Sequence, residues 1–251
     1  MKKLTVIIPV KNEEHHIEGA LQSVAFADEI MVVDSFSTDR TVELAKKYTD
    51  FILQREYDYP ASQKNWAIPR ASHEWILLLD ADERISPELQ AEICSILNQD
   101  TDKSAFWIYR RNHFMGKPVR FSGWQNDRVI RLIKRDECRY EDKLVHEEIV
   151  TQGEVGRLKN PMLHFTYTNL KAYLAKMDRY TTWSALEKNK KTKSVTFFHL
   201  GIKPCYRFFT HYILRLGILD GQVGFIISAL SAYSIFLRYL KMLRLKEKES
   251  L

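Results

Sequence analysis

Short apolar runs alternate with helical patterns along the first hundred residues. Continuous apolar runs, which predict strands, lie at residues 4–8, 29–33, 51–53 and 75–79. Helical spacing and helix-start residues predict helices at residues 13–26, 41–48, 61–71 and 87–97. Short, fully apolar strands that alternate with helices are typical of a parallel sheet covered on both faces. The pattern therefore predicts an α/β fold.

The pattern changes after residue 100. Residues 105–111 and 128–134 have the composition of strands and predict a mixed extension of the mainly parallel sheet. A helix is predicted at 169–187, and a basic segment follows at 188–193. From residue 195 the chain is aromatic, apolar and basic, which predicts amphipathic helices. We therefore expect one domain at residues 1–190 and a helical tail at residues 191–251.

Charge is divided unevenly along the chain. Residues 1–158 carry 22 Lys and Arg against 27 Asp and Glu, whereas residues 159–251 carry 16 against 5. A basic segment rich in aromatic residues is typical of interfacial membrane helices and also of proteins that bind single-stranded nucleic acid. The apolar content of the tail favours an anionic membrane surface over nucleic acid. A buried helical cap or a dimer interface is the remaining alternative.

Two apolar segments are candidates for a targeting or a membrane-spanning element. The N-terminal run at residues 4–10 is too short for a signal peptide and contains Pro9. The longest uncharged stretch, residues 221–237, has 17 residues with two glycines and three serines, whereas a membrane span needs about 20 apolar residues. We therefore expect the tail to lie on the cytoplasmic face of the cell membrane without crossing it.

Composition and short motifs exclude several other classes of protein. The chain is 45% hydrophobic and 28% charged, which is typical of a globular protein. Its three cysteines are far apart, which argues against a disulfide scaffold and against a cysteine zinc site. The sequence contains neither GxGxxG nor a Walker A motif, so it does not predict a dinucleotide-binding or P-loop protein.

Acidic residues follow two of the predicted strands. Asp34 comes directly after the run at 29–33, and Asp80 and Asp82 follow the run at 75–79. Open α/β sheets bind ligands at the carboxyl ends of their strands. Two carboxylates one residue apart can share a divalent cation, which in turn binds diphosphate oxygens. A turn with a helix N-cap is the alternative for Asp80 and Asp82, but their position at a strand end favours ligand binding.

Three segments in this order resemble one family of enzymes. They read VIIPVKNEE at residues 6–14, VVDSFSTDRT at 32–41 and WILLLDADE at 75–83. Together they resemble the inverting glycosyltransferases of family 2, which implies a GT-A nucleotide-sugar-binding fold over roughly residues 1–170. Four further segments resemble the bacterial lipopolysaccharide inner-core β-glucosyltransferases: RVIRL at 128–132, VHE at 145–147, LHF at 163–165 and GILDG at 217–221.

The resemblance implies roles for particular residues. Nucleotide-sugar binding is implied for Pro9, Lys11, Glu13, Asp34, Lys64 and Asp80. Metal binding is implied for Asp82 and His164, with Mg²⁺ or Mn²⁺ as the cofactor, although a core histidine is the alternative for His164. The chain departs from the family motif at Ser35 and Phe36, which replace a second acid and a glycine, so we expect Asp34 to carry more of the contact with the base.

An inverting transfer needs a general base that deprotonates the acceptor hydroxyl. Glu147 is our candidate for this base. Asp142 is the rival, because many members of the family have a Glu-Asp pair in this part of the chain. A solvated stretch of acids is the alternative for both residues. Trp124, Arg128 and Arg131 are expected to bind an anionic acceptor, with packing at a strand edge as the alternative.

The function that the resemblance implies is a metal-dependent, inverting transfer of a hexose, with glucose as the expected sugar. The donor would be a UDP-sugar, and the acceptor a lipid-linked saccharide such as the lipopolysaccharide inner core. A polyprenyl-phosphate or peptide glycosyltransferase is one alternative. A non-catalytic membrane protein that binds a nucleotide sugar is another. No nucleic-acid partner is expected.

Overall fold

The computed structural model describes residues 2–142, 148–167, 170–189, 192 and 194–249. Contacts divide the chain into two compact units. The first unit comprises Met1–Arg111 with Asp127–His164, and the second comprises Asn112–Asn126 with Phe165–Leu251. Each unit is described by itself.

Strands and helices alternate first, and strands then dominate until residue 167. The strands are β1 (Leu4–Val10), β2 (Glu29–Asp34), β3 (Ile52–Gln54), β4 (Trp75–Leu78), β5 (Glu83–Arg84), β6 (Lys103–Phe114), β7 (Lys117–Pro118), β8 (Arg128–Lys134), β9 (Cys138–Tyr140), β10 (Ile149–Thr151), β11 (Glu154–Arg157) and β12 (Met162–Tyr167). The α-helices are α1 (Ile17–Ser23), α2 (Thr41–Ala45), α3 (Pro60–Ala67), α4 (Pro87–Leu97), α5 (Leu170–Asn189), α6 (Lys203–Phe209) and α7 (Gly221–Glu249).

The sheet is mixed, as the sequence predicted. Its order is β3-β2-β1-β4-β8-β6-β12-β5. The pairs among β3, β2, β1 and β4 are parallel, and β8 then pairs antiparallel with both β4 and β6. The residue pair Val10 and Asp34 ends the β1–β2 ladder, so the segments after β1 and β2 leave the sheet at one edge. The predicted α/β class and the predicted helical tail are both confirmed.

Alternate residues of β1 belong to two different hydrophobic cores. Val6 and Ile8 pack in the core that also contains residues of α1, α2 and α4. Ile7, between them, packs in the core that contains residues of α3. Helices therefore cover both faces of the parallel strands, which explains why these strands are apolar throughout. Burial of each such side chain contributes about 1.5–3 kcal/mol, and this fixes the strand ends that carry the polar segments.

Several predicted helices are shorter in the structure. α1 begins at Ile17 rather than at residue 13, because residues 13–16 form a turn in which the Ile17 N–H donates to the carbonyl of Glu13. α3 ends at Ala67, and a 3-10 turn, Ile68–Arg70, follows it around Pro69. Proline has no N–H and clashes with the preceding turn, so an α-helix cannot continue through that position unchanged.

The second unit is mainly helical. Ala185 of α5 packs with Ile235, Tyr239 and Met242 of α7. Because α5 packs on α7, the contacts group residues 170–189 with the tail rather than separating them at residue 190. A continuous helical segment precedes α7 and consists of a π-helical turn, Phe198–Ile202, then α6, then a second π-helical turn, Thr210–Leu214.

Large apolar side chains are exposed on this second unit. The helical segment 198–214 carries a row of them at intervals of three or four residues, namely Phe198, Ile202, Tyr206, Phe209 and Ile213, each between 41% and 66% exposed. Among the described residues, the helix Gly217–Lys246 is long and apolar enough to cross a membrane. Length and composition do not distinguish a span from an interfacial helix, so the predicted membrane-associating role of residues 191–251 stays a prediction.

Candidate functional site

The polar segments after β1 and β2 are joined by a set of hydrogen bonds. Asn12, which has a φ of 57°, receives a hydrogen bond at its side-chain oxygen from the Thr38 N–H at 2.8 Å, and its own N–H donates to the Ser37 hydroxyl at 2.9 Å. The Glu13 N–H donates to the Thr41 hydroxyl at 2.7 Å. These bonds fix the backbone of both segments before any ligand is bound.

Asp34 is fully buried at the end of β2. Its carboxylate accepts the Ser37 N–H at 3.1 Å and the Gln54 side-chain amide at 3.1 Å. Asp34 therefore shapes the segment after β2 in this structure. Its predicted contact with the nucleotide stays a prediction. Two further predicted residues of this edge differ in exposure, since Pro9 is half-buried within β1 and Lys11 is exposed.

Asp80 and Glu83 share one arginine at the end of β4. The Arg131 guanidinium is buried; its Nη2 contacts Asp80 Oδ2 and lies 2.8 Å from Glu83 Oε1. Glu83 is also fully buried, and its second oxygen accepts the Asp80 N–H at 3.0 Å. Arg131 therefore positions both acids in this structure. Its predicted binding of an acceptor stays a prediction.

Lys64 is a second positively charged residue close to Asp80. Its ammonium is 3.9 Å from Asp80 Oδ1 and 4.9 Å from the centre of the Tyr140 ring. Burial by itself would raise the pKa of Asp80, but the charges of Arg131 and Lys64 hold that pKa well below its usual range. Asp80 is therefore ionised at neutral pH and remains about one-third exposed, so its carboxylate can meet a ligand.

The structure brings Asp82 and His164 together. β12 pairs antiparallel with β5, and His164 stands opposite Glu83 in that register. His164 Nε2 consequently lies 3.4 Å from Asp82 Oδ2, and the Asp82 side chain is 30% exposed. The two residues predicted as metal ligands from the resemblance are neighbours, although 81 positions lie between them in the chain.

Glu13 adds a further carboxyl group to this part of the first unit. Burial raises the pKa of Glu13 to about 7, and the negative charges of Asp82 and Asp80 act in the same direction. Three acids are thus close enough to repel one another at the strand ends. Such repulsion falls when a cation binds between the groups.

The residues at this edge fit a divalent cation held jointly with a ligand. Asp82 and His164 provide one oxygen and one nitrogen donor, within a region that is rich in carboxylates. No cluster of three or more metal-binding side chains occurs among the described residues. Magnesium commonly takes one or two protein carboxylates and completes its shell with water and substrate phosphates. A site with few protein ligands agrees with that chemistry.

Of the two candidate bases, Asp142 lies among the described residues. Glu147 lies outside the described residues. Asp142 is described and exposed, and its Oδ1 accepts a hydrogen bond from the Tyr59 hydroxyl. The choice between Glu147 and Asp142 therefore stays a prediction.

The other two predicted acceptor residues are in different units. Arg128, in the first unit, is exposed, and its Cζ lies 5.0 Å from the centre of the Trp107 ring. Trp124, in the second unit, packs edge-to-face on Phe114 with 6.4 Å between ring centres. Acceptor binding by Trp124 stays a prediction. Acceptor binding by Arg128 stays a prediction.

The contacts of Glu83 and Gln63 were not predicted from the sequence. Glu83 directly follows the Asp-x-Asp pair, and its complete burial beside Arg131 could not be read from that position. Gln63 is buried next to Lys64, and its amide donates to the Ser35 hydroxyl at 3.0 Å. The signal for Gln63 is the segment Gln63-Lys64-Asn65, since a glutamine on the buried side of α3 needs polar partners.

Comparison with known proteins places these residues in a known family. The sequence model described as "Glycosyl transferase family 2" matches residues 5–183, a range that includes the three strand-end segments and His164. A lipopolysaccharide core biosynthesis glycosyltransferase, LpsC of Rhizobium meliloti (strain 1021), is 28% identical over 94% of this chain and 93% of its own length. An uncharacterized glycosyltransferase of Rickettsia bellii is 29% identical over 96% of this chain and 86% of its own.

Solved structures are more distant. The crystal structure of Staphylococcus aureus TarS is 15% identical, with a TM-score of 0.47 over 99% of this chain and 92% of that chain. A glucosyl-3-phosphoglycerate synthase from Mycobacterium tuberculosis, in complex with Mg²⁺ and UDP, is 19% identical with a TM-score of 0.39 over 44% of each chain.

Proposed function

This chain belongs to glycosyl transferase family 2, and we propose that it moves a hexose, with glucose as the proposed sugar, from a UDP-sugar to a lipid-linked saccharide. The lipopolysaccharide inner core is the proposed acceptor, since the similar LpsC is named for lipopolysaccharide core biosynthesis. The observation that carries the proposal is the pair Asp82 and His164 beside the ion pair of Asp80 with Arg131.

The donor would bind at the carboxyl ends of β1, β2 and β4. Asp80 is held ionised by Arg131 and Lys64, so its carboxylate is oriented to accept hydrogen bonds from a ribose. Asp82 and His164 would hold a divalent cation, which, when bound, offsets the charge of the departing diphosphate. Lys64 lies close enough to Asp80 to contribute a further positive charge near the phosphates.

The chemical step that the chain itself must supply is removal of a proton from the acceptor hydroxyl. Glu147 is the proposed base, and Asp142 is the rival. A base at this position would accept the proton as the hydroxyl oxygen attacks the anomeric carbon and the bond to UDP breaks. The anomeric configuration would be inverted, because a single displacement occurs from the face opposite the leaving group.

The experiment that tests the proposal is a panel of nucleotide sugars. Purified full-length protein is incubated with each donor, with Mg²⁺, with Mn²⁺ and with a chelator, and release of the nucleoside diphosphate is measured with and without a lipopolysaccharide acceptor. We expect release that requires a UDP-hexose and a divalent cation, and that rises when acceptor is added. Metal-independent release, or a preference for another nucleotide, would contradict the proposal.

The tail is proposed to hold the enzyme on the cytoplasmic face of an anionic membrane, as a peripheral protein. Its exposed apolar row on residues 198–214 supports this proposal, since aromatic and aliphatic side chains settle at the membrane interface. Basic residues near an anionic surface add about 1 kcal/mol each. An acceptor anchored in the same membrane would then be confined to the same surface as the enzyme.

Sedimentation with liposomes tests the attachment. Phe209→Ser removes one member of the exposed row, and Tyr57→Ser is a matched control in the first unit, because both aromatic side chains are 49% exposed. We expect the wild type and the control to bind anionic liposomes and Phe209→Ser to bind more weakly. Equal binding of the two variants would argue for a helical cap or a dimer interface. Resistance of the bound protein to alkaline extraction would argue for a membrane span.

A further inference from the structure

Two arginines, Arg207 and Arg215, lie beside His211 in the second unit, and the charge of a third, Arg238, acts on Arg207. Arg207 is on α6, Arg215 follows the second π-helical turn, and Arg238 is on α7. Arg207 Nη1 lies 3.1 Å from His211 Nε2. The His211 side chain is 7% exposed, so solvent does not reach the arginines from the side that His211 covers.

The segment around Gly123 borders the same group. A Cβ atom built at Gly123 would lie 2.7 Å from Arg215 Nη1 and 3.2 Å from His211 Cε1. Gly123 also has a φ of 87°, which favours glycine. Only a residue without a side chain allows the backbone to approach the guanidinium and the imidazole this closely.

The arginine cluster (Arg207, Arg215 and Arg238) has no acidic partner in the part of the chain that the structure describes. No carboxylate forms an ion pair with any of the three there, and Nε of Arg238 is buried without a hydrogen-bond partner. The one acid of the adjoining turn, Asp220, accepts instead from the N–H groups of Arg120 and Phe121.

The cluster therefore holds like charges together without neutralising them. Burial lowers the pKa of Arg207, and the charges of Arg215 and Arg238 lower it further. In the first unit, by contrast, Arg131 contacts two carboxylates. Positive groups that are partly buried and uncompensated are stabilised when an anion binds between them.

We propose that Arg207, Arg215 and Arg238 form a binding site for a phosphate group. Guanidinium groups bind phosphate oxygens through pairs of parallel hydrogen bonds, and several arginines can share one phosphate. Two sources carry this group, namely the headgroup of a membrane phospholipid and a phosphorylated saccharide. The site lies wholly in the second unit and goes beyond the proposed donor site, which lies in the first.

Two titrations of the full-length protein test the site. Inorganic phosphate is titrated by calorimetry at constant ionic strength, with chloride as the balancing anion. Sedimentation is measured with phosphatidylglycerol vesicles and with phosphatidylcholine vesicles. Each is repeated with Arg207→Gln, with Arg238→Gln and with Arg244→Gln. Arg244 is a matched control because it is exposed on α7, the helix that also carries Arg238.

We expect the two cluster variants to bind each probe at least tenfold more weakly than the wild type. The control should stay within twofold for inorganic phosphate and within about fivefold for vesicles, because one basic residue near an anionic surface adds about 1 kcal/mol. If this pattern appears with inorganic phosphate, a phosphate group is sufficient as the ligand. If it appears only with phosphatidylglycerol vesicles, the source is a lipid headgroup. Neither titration contains a UDP-sugar, so the result is independent of the proposed transfer reaction.

Two results would overturn the proposal. One is that neither probe binds saturably to the wild type, a result that is read from the wild-type protein alone. The other is binding that Arg207→Gln and Arg238→Gln reduce no more than Arg244→Gln does. Near-ultraviolet circular dichroism checks the fold of each variant. If Arg238→Gln does not fold, Arg238→Lys replaces it, since lysine keeps the charge but loses the paired hydrogen bonds, and an intermediate loss is expected.

Discussion

Arg131 in the first unit, which is buried, and Arg207 in the second, which is partly buried, show two different uses of a guanidinium. Arg131 contacts Asp80 and Glu83, and its position fixes both acids at the end of β4. Arg207 contacts the Nε2 atom of His211 and lies near two further arginines. It has no carboxylate partner among the described residues. The same side chain is thus compensated within the protein in one case and not in the other.

The difference shows how far the polar groups of each unit are paired before a ligand binds. In the first unit the polar groups are already bonded to one another, so the donor would meet fixed dipoles and charges. Preorganised groups of this kind stabilise a transition state without reorganising during the reaction. In the second unit apolar side chains are exposed, and the arginine cluster has no carboxylate partner among the described residues, so its surface is suited to binding an external group.

The largest expected effect is the loss of the proposed base. Glu147→Gln should lower turnover by about 10²–10⁴-fold and spare binding of the UDP-sugar, because the amide cannot take the proton but occupies the same volume. Turnover and donor binding are measured for this variant and for Asp142→Asn. If only Asp142→Asn is inactive, Asp142 is the base and our assignment is wrong.

The next largest effect is expected from a substitution at the strand ends of the first unit. Asp82→Ala should lower turnover by roughly 10²–10³-fold with the fold intact, since it removes a charge that supports the departing diphosphate. Steady-state kinetics are compared with those of Asp50→Ala, an exposed acid that precedes β3. Turnover within a few-fold of the wild type would contradict a role of Asp82 in metal binding.

A third change removes the positive charge that Asp80 and Glu83 share. Arg131→Met should destabilise the protein by about 3 kcal/mol, because it leaves Glu83 and Asp80 without their shared cation. Denaturant unfolding measures the free energy, and Arg131→Lys should recover part of it. An unchanged midpoint in Arg131→Met would show that the ion pair does not hold this edge together.

The smallest effect concerns pH and the second unit. Burial, together with the charges of Arg207 and Arg215, lowers the pKa of His211 to about 4. Between pH 6.5 and about 4, the unfolded chain binds a proton that the folded protein does not. The contribution of this group to stability is therefore full above pH 6.5 and falls as the pH decreases through that window.

This cost is largest at the acidic end of the window. His211→Gln should remove this part of the pH dependence, whereas His15→Gln should not, because His15 is exposed. Unfolding free energies are measured for both variants from pH 4 to 7. Parallel profiles for His211→Gln and the wild type would show that His211 does not titrate in this way.

The sequence determined the strand-end segments well. Apolar runs ended by polar residues located β1, β2 and β4, and their parallel pairing brought Glu13, Asp34 and Asp80 to the same edge. This part was predictable because the strand pattern and the ligand-binding edge of an α/β sheet follow from local periodicity and a general rule of topology. The helical tail was predictable from its composition for the same reason.

Tertiary structure alone decided which side chains meet. Arg131 reaches Asp80 across 51 positions of the chain, and His164 reaches Asp82 through the register of β5 with β12. A shift of that register by one residue would turn His164 to the other face of the sheet, and no local pattern fixes it. Likewise, only the packing of α6 and α7 placed Arg207 and Arg238 together. Charge compensation acts between groups that are close in space, so a basic residue in the sequence indicates its charge but not its partner.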